Sequence, residues 1–179
     1  MSESISQSRT LKLRRVTAAG LFAALIYVFT AYLHIPTGAG YTHAGDGLIY
    51  IAACILPTPY AMAAGAIGGA LSDGLTGFLV WMPATIIIKA ITAAFFSNKS
   101  DKILTLRNIL GIIPSLILCI AGYSLYEGTI MAGGFSLAAI TAAFGQTPAY
   151  CIQVGTSALL FISVSFLLDK SEFKKKFKL

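Results

Sequence analysis

SNKSDKILTLR, Ser97 to Arg107, is the stretch whose reading decides the fold. It places Lys99, Lys102 and Arg107 in the middle of an otherwise greasy chain. Two more basic patches lie outward from it, Arg9 to Arg15 and Lys170 to Lys178. Together the three hold 12 of the 13 Lys and Arg residues, and the exception, Lys89, sits inside an apolar run. Basic residues flanking apolar segments mark cytoplasmic loops, so the spacing reads as a membrane topology.

Composition agrees. The chain has 179 residues, 56% hydrophobic and only 11% charged, outside the range of soluble globular domains. A net charge of +6 invites a nucleic-acid reading, which fails because the cations flank apolar runs instead of alternating with aromatics. Anionic headgroups of the cytoplasmic leaflet are the expected counter-charge.

A crossing helix needs about 20 apolar residues. The runs that qualify, or nearly qualify, predict spans over about 16–35, 45–57, 60–78, 82–98, 108–127 and 147–168 of a single membrane domain. The second is short, because Pro57-Thr58-Pro59 stops it, and it has to start by Gly45. Pro36 to Gly47 (PTGAGYTHAGDG) reads as an outer loop. Gly128 to Leu168 carries no charge, and its Gly-rich first part predicts a second outer loop before one last helix from Thr147. Six spans put every basic patch on the cytoplasmic side, whereas five or seven leave one outside. The expectation is an all-α, integral membrane six-helix bundle with cytoplasmic N and C termini.

The apolar run from Val16 is too long for a signal h-region and reads as a retained span. Cys54, Cys119 and Cys151 lack pairing or metal-ligand spacing and are expected to be small buried residues. No Walker A sequence, catalytic triad or metal-binding spacing is present, so neither catalysis nor a metal is expected, and any ATPase must be another chain.

Candidate functional residues cluster toward the outer side. Tyr41, His43 and Asp46 crowd the first outer loop, where Asp46 suits either a helix N-cap or a ligand. Asp73 and Lys89 lie inside predicted spans, where a charge costs about 2.5–3.5 kcal/mol, so each needs a partner: each other, or a polar ligand. Gln146, Tyr150 and Gln153 share a helix face, Tyr123 and Glu127 stand four apart, and Trp81 opens the fourth span. Acids, amides and aromatic faces suit a small, flat, hydrogen-bonding solute. Ala19 and Ala23, with Gly20 and Ala24, line the first helix with small side chains; Ala61, Gly65 and Gly69 do so in the third. Such faces serve internal packing or a partner helix.

Gly45-Asp46 followed by LIYIAACILPTPYAMAAGAIGGALSD and then MPATIIIKA resembles the substrate-binding (S) components of energy-coupling-factor (ECF) transporters. The likeness covers residues 16–98, and Ala19 and Ala23 are similar to that family's docking motif. The resemblance implies a six-helix subunit of the bacterial cell membrane that binds a micronutrient on its outer face. It implies docking through the first helix onto a transmembrane coupling subunit with two ATPases, so ATP is consumed by partners and no cofactor resides here. Solute contacts would come from Tyr41, His43, Trp81, Lys89, Tyr123, Glu127, Gln146, Tyr150 and Gln153. The nearest branch takes riboflavin, hydroxymethylpyrimidine or queuosine precursors, although the PTPY turn departs from the family's Leu-Gly-Pro form. Because Asp46, Asp73 and Glu127 outnumber Lys89, a 7-deazaguanine base such as queuine is the leading expectation. Pyridoxine is a further candidate, and a self-contained facilitator is the competing class.

Overall fold

A computed structural model of the chain describes residues 2–37 and 40–177. Gly38 and Ala39 of the expected outer loop, and Lys178 of the C-terminal patch, lie outside the described residues.

Helix α1 (Ser2–Ala31) starts well before the expected span and ends sooner. The chain then forms an antiparallel hairpin, β1 (His34–Thr37) and β2 (Gly40–His43), with His34 opposite His43 and Pro36 opposite Tyr41. The fold is all-α apart from this hairpin, which replaces the expected loop because Tyr41-Thr42 favours extended backbone and Pro36 is tolerable on a strand edge.

Helix α2 (Asp46–Ile55) is only ten residues long, and all ten are buried. At about 1.5 Å per residue it covers half the hydrocarbon thickness, so the expected second span is a core helix too short to cross alone. Leu56 is extended, as the residue before a proline must be, and α3 (Thr58–Leu75) begins at once with Pro59 in its first turn. A 3-10 turn, Leu79–Trp81, leads into α4 (Met82–Ala94). Helices α5 (Leu106–Leu110) and α6 (Ile112–Tyr126) follow, and the π-helical turn Glu127–Met131 extends α6. The segment expected to be an irregular outer loop contains α7 (Leu137–Ala143), capped by the Ser136 hydroxyl, which accepts from the Ala139 N–H. Helix α8 (Thr147–Lys170) and the short α9 (Phe173–Lys176) complete the chain.

Among the described residues three stretches are long and apolar enough to cross a membrane: Gln7–Ala31, Leu106–Met131 and Leu137–Lys170. The molecule is therefore helical and membrane-like.

Glycine sets the packing of α3. A Cβ on Gly68 would stand 2.7 Å from the Ala23 carbonyl oxygen, so α1 and α3 meet backbone to backbone. On the same helix a Cβ on Gly69 would stand 2.7 Å from Thr85 of α4. Ala19 and Ala23 are consequently buried inside the bundle. Gly20 and Ala24 are exposed instead. Below the site, Tyr50 of α2 stacks on Phe96 at 4.6 Å, with Phe161 edge-on to both rings. Cys54 and Cys119 are buried, whereas Cys151 is exposed on the outer face of α8, against the expectation.

The basic segments gather at one end. Asp169 accepts hydrogen bonds from the Ile103 and Leu104 N–H groups at 2.7 and 2.9 Å. Lys174 donates to the carbonyls of Asn98, at 2.9 Å, and Ser100. Leu13 and Arg14 of α1 share a groove with Phe173 and Phe177. The hairpin lies at the opposite end.

Candidate functional site

The hairpin leaves α1 just past the buried Thr30 and Ala31 and returns directly into α2. Beneath it is a cavity of about 530 Å³, counting its open mouth. Helices α3, α4, α6 and α8 supply the remaining walls.

One wall is aromatic. Tyr123 of α6 and Tyr150 of α8 stack at 5.7 Å with planes 15° apart, and Trp81 stands edge-on to Tyr123 at 5.8 Å. Tyr126 secures the 3-10 turn that carries Trp81 by donating to the Val80 carbonyl at 2.8 Å. The Tyr123 and Thr85 hydroxyls share a hydrogen bond of 3.1 Å.

The floor is charged and internally neutralised. Lys89 Nζ lies 2.7 Å from Asp46 Oδ1 and 2.9 Å from Oδ2, and both side chains are almost fully buried. Gln153 Nε2 donates to Asp46 Oδ2 at 2.9 Å. This network joins α2, α4 and α8, and Lys89 also lies 5.4 Å from the Tyr123 ring centre. Asp46 occupies the first position of α2 and makes no N-cap bond, because its carboxylate is turned inward to Lys89. Nor do Asp73 and Lys89 pair with each other. Asp73 Oδ1 instead accepts from the Tyr41 hydroxyl at 2.6 Å, pinning the hairpin to α3. Burial, reinforced by the adjacent Asp73 carboxylate, pushes the Tyr41 phenol well above its ordinary pKa.

His43 is buried, and its Nδ1 accepts the Gly45 N–H at 3.1 Å. Burial holds its pKa down to about 3, so the ring is neutral. Thr42 ties the same strand to α8 by donating to the Ala149 carbonyl at 3.1 Å.

Nine of the expected site residues therefore border one cavity: Tyr41, His43, Asp73, Trp81, Lys89, Tyr123, Gln146, Tyr150 and Gln153. Asp46 and Glu127 do not border it and act through neighbours; Glu127 Oε2 accepts from Gln146 Nε2 at 2.6 Å. Thr30, Thr37, Gly40, Thr42, Thr85 and Ala149, none of them an expected site residue, complete the wall. Thr85 carries a readable signal, since it stands one helical turn before Lys89 on the same face. Thr30 carries none. Among the described residues no cluster of His, Cys, Asp and Glu could hold a metal ion. What the arrangement can do is grip a flat polar solute between aromatic faces and fixed hydrogen-bonding groups.

A family model described as "ECF-type riboflavin transporter, S component" matches residues 10–170. No curated protein matches the sequence. A match across nearly the whole chain, on a helical membrane-like fold with a polar-aromatic cavity, assigns it: the chain belongs to the ECF-type S components, the substrate-binding subunits of a transporter rather than a family of enzymes.

Proposed function

We propose that this subunit captures a small, flat heteroaromatic micronutrient beneath the hairpin. It delivers the solute by docking on a transmembrane coupling subunit driven by two ATPases. The observation that carries this reading is the stacked Tyr123–Tyr150 pair beside Trp81, set over polar groups already fixed by the protein. In this arrangement the helical bundle lies across the bacterial cell membrane, with α2 enclosed within it and both chain ends cytoplasmic. The gathering of the basic segments at the end away from the cavity supports that orientation. The exposed pair Gly20 and Ala24 is the docking face of α1 in this reading, with Ala19 and Ala23 supporting it from within.

Among solutes, a queuosine precursor such as queuine fits the acidic balance of the site. Asp46 is neutralised by Lys89, so Asp73, with Glu127 behind Gln146, remains to favour an amine-bearing base. Riboflavin is the second reading, favoured by the description of the matching family model.

Expression of a tagged copy together with a candidate coupling module tests the proposal. Recovery of the coupling and ATPase subunits, with uptake that requires ATP, is the expected result. Uptake by this chain alone in vesicles without ATP would identify a self-contained facilitator instead.

A further inference from the structure

A groove runs along α1 at the end where the basic segments gather, away from the cavity. It encloses about 880 Å³, counting its open side. Leu13, Arg14, Leu21 and Phe22 supply one wall, and Phe173 and Phe177, with ring centres 5.2 Å apart, supply another. Leu13 and Leu21 are 67% and 62% exposed, so the rest of the chain leaves this apolar lining uncovered. The α9 lysines turn elsewhere: Lys174 to the Asn98 and Ser100 carbonyls, Lys175 to Glu172, and Lys176 to the Ser171 carbonyl.

The groove is charged at one end only. Helix α1 starts among the basic segments and ends at the hairpin, so Arg14 stands at the cytoplasmic mouth and Phe22 lies deepest. At about 1.5 Å per residue, the stretch from Leu13 to Phe22 rises about 14 Å, close to the roughly 15 Å of hydrocarbon in one leaflet. No carboxylate borders the groove among the described residues. The ion pairs among those residues are Lys89–Asp46 and Lys175–Glu172, so no acid pairs with Arg14. Asp169, at the same end, is taken by the Ile103 and Leu104 N–H groups. Next to Arg14 in the chain, Arg15 keeps its Nε buried and without a hydrogen-bond partner among the described residues.

We propose that this groove binds one anionic phospholipid of the cytoplasmic leaflet. The lipid phosphate meets the Arg14 guanidinium at the mouth, and one acyl chain runs from the α9 rings along Leu21 to Phe22. A guanidinium presents a planar fork of donors that matches two phosphate oxygens. Diffuse attraction of a basic surface to the leaflet needs no groove and treats all its cations alike. Here a cation without an acidic partner tops an apolar channel of leaflet depth, which suits headgroup and chain together. A zwitterionic lipid brings its own ammonium, which finds no acid in the groove. The proposal rests on the cytoplasmic placement of the chain ends.

The test mixes the full chain, purified in detergent, with equal amounts of dioleoyl phosphatidylglycerol and dioleoyl phosphatidylcholine. Native mass spectrometry counts the lipid retained. The expected result is one retained phosphatidylglycerol, favoured about fivefold or more over phosphatidylcholine. Arg14→Gln, at an exposed position, is expected to bring that ratio toward one, whereas Lys102→Gln, an exposed cation outside the groove, leaves it unchanged. Inorganic phosphate and dihexanoyl phosphatidylglycerol, whose chains are too short to reach Phe22, are expected not to displace the bound lipid at equal concentration. Equal retention of the two lipids, or an equal loss of selectivity in both variants, overturns the proposal. Displacement by phosphate or by the short-chain lipid shows a headgroup contact without the groove and also overturns it. So does an Arg14→Gln variant that keeps the lipid but no longer recovers a coupling subunit, which assigns the groove to a partner helix. Protease access to a C-terminal tag in intact cells reads the orientation separately. A tag cleaved from outside overturns the orientation and with it the leaflet assigned to the lipid; a protected tag without lipid selectivity overturns the lipid site alone.

Discussion

Lys89 Nζ stands 2.7 Å from Oδ1 of Asp46, which makes the first residue of α2 the counter-ion of a cation two helices later. The pair sits where the hairpin returns to the helical core. A buried charge left alone is costly, whereas two replaced together by apolar side chains are tolerated.

Lys89→Met alone and Asp46→Leu alone are each expected to destabilise the protein by about 3–5 kcal/mol. The double variant is expected to be more stable than either single one. Thermal unfolding in detergent, followed by size-exclusion profile, checks this. Additive losses would show that the two side chains act independently.

Packing of α1 on α3 divides its small residues into two classes. Ala23→Leu drives a side chain at the glycine face of α3 and is expected to cost about 1–3 kcal/mol or prevent folding, so solute binding and uptake fall together. Gly20→Leu with Ala24→Leu, on the exposed side, is expected to leave folding and solute binding intact while abolishing copurification with a coupling subunit. The comparison needs only pull-down and binding assays on the same preparations.

Tyr150→Ala removes one face of the aromatic wall and is expected to weaken solute binding by roughly tenfold or more. Tyr150→Phe preserves the stack and should bind within a few-fold of the parent. Calorimetric titration with the solute released from the purified protein measures both.

Acid is expected to loosen the hairpin through His43. Its pKa is held near 3 in the folded protein, by burial, against about 6.5 in the unfolded chain. Between those values the unfolded state binds the extra proton, so stability is full above pH 6.5 and falls as pH drops toward 3. The contribution lost by pH 5 is about 1–2 kcal/mol. Melting temperatures from pH 7.5 to 4.5 should decline, and His43→Gln should flatten that slope.

Much was legible from local chemistry. Apolar runs and the positions of Pro57, Pro59 and Pro83 locate the starts of α3 and α4, and charge clustering puts the basic patches together. Residue type alone nominated nine cavity residues, because Lys, Asp, Gln and Trp within greasy sequence need a reason to be there. The hairpin reads as a loop in the sequence, since four-residue strands containing proline and glycine carry little periodic signal. Helix α7 escapes a sequence reading because its Ala-rich stretch is only seven residues long and follows closely on the glycines Gly133 and Gly134.

By itself the sequence determined that this is a helical membrane protein with its cations gathered on one side, because apolar length and charge spacing are local properties. Only the tertiary structure decided that Lys89 answers Asp46 and not Asp73, that α2 is a buried half-length helix, and that Ala19 and Ala23 point inward. The reason is rotational. A helix apolar on every side can turn about its own axis without changing its hydropathy, so the face it shows a neighbour is set by packing and by where its few polar groups find partners.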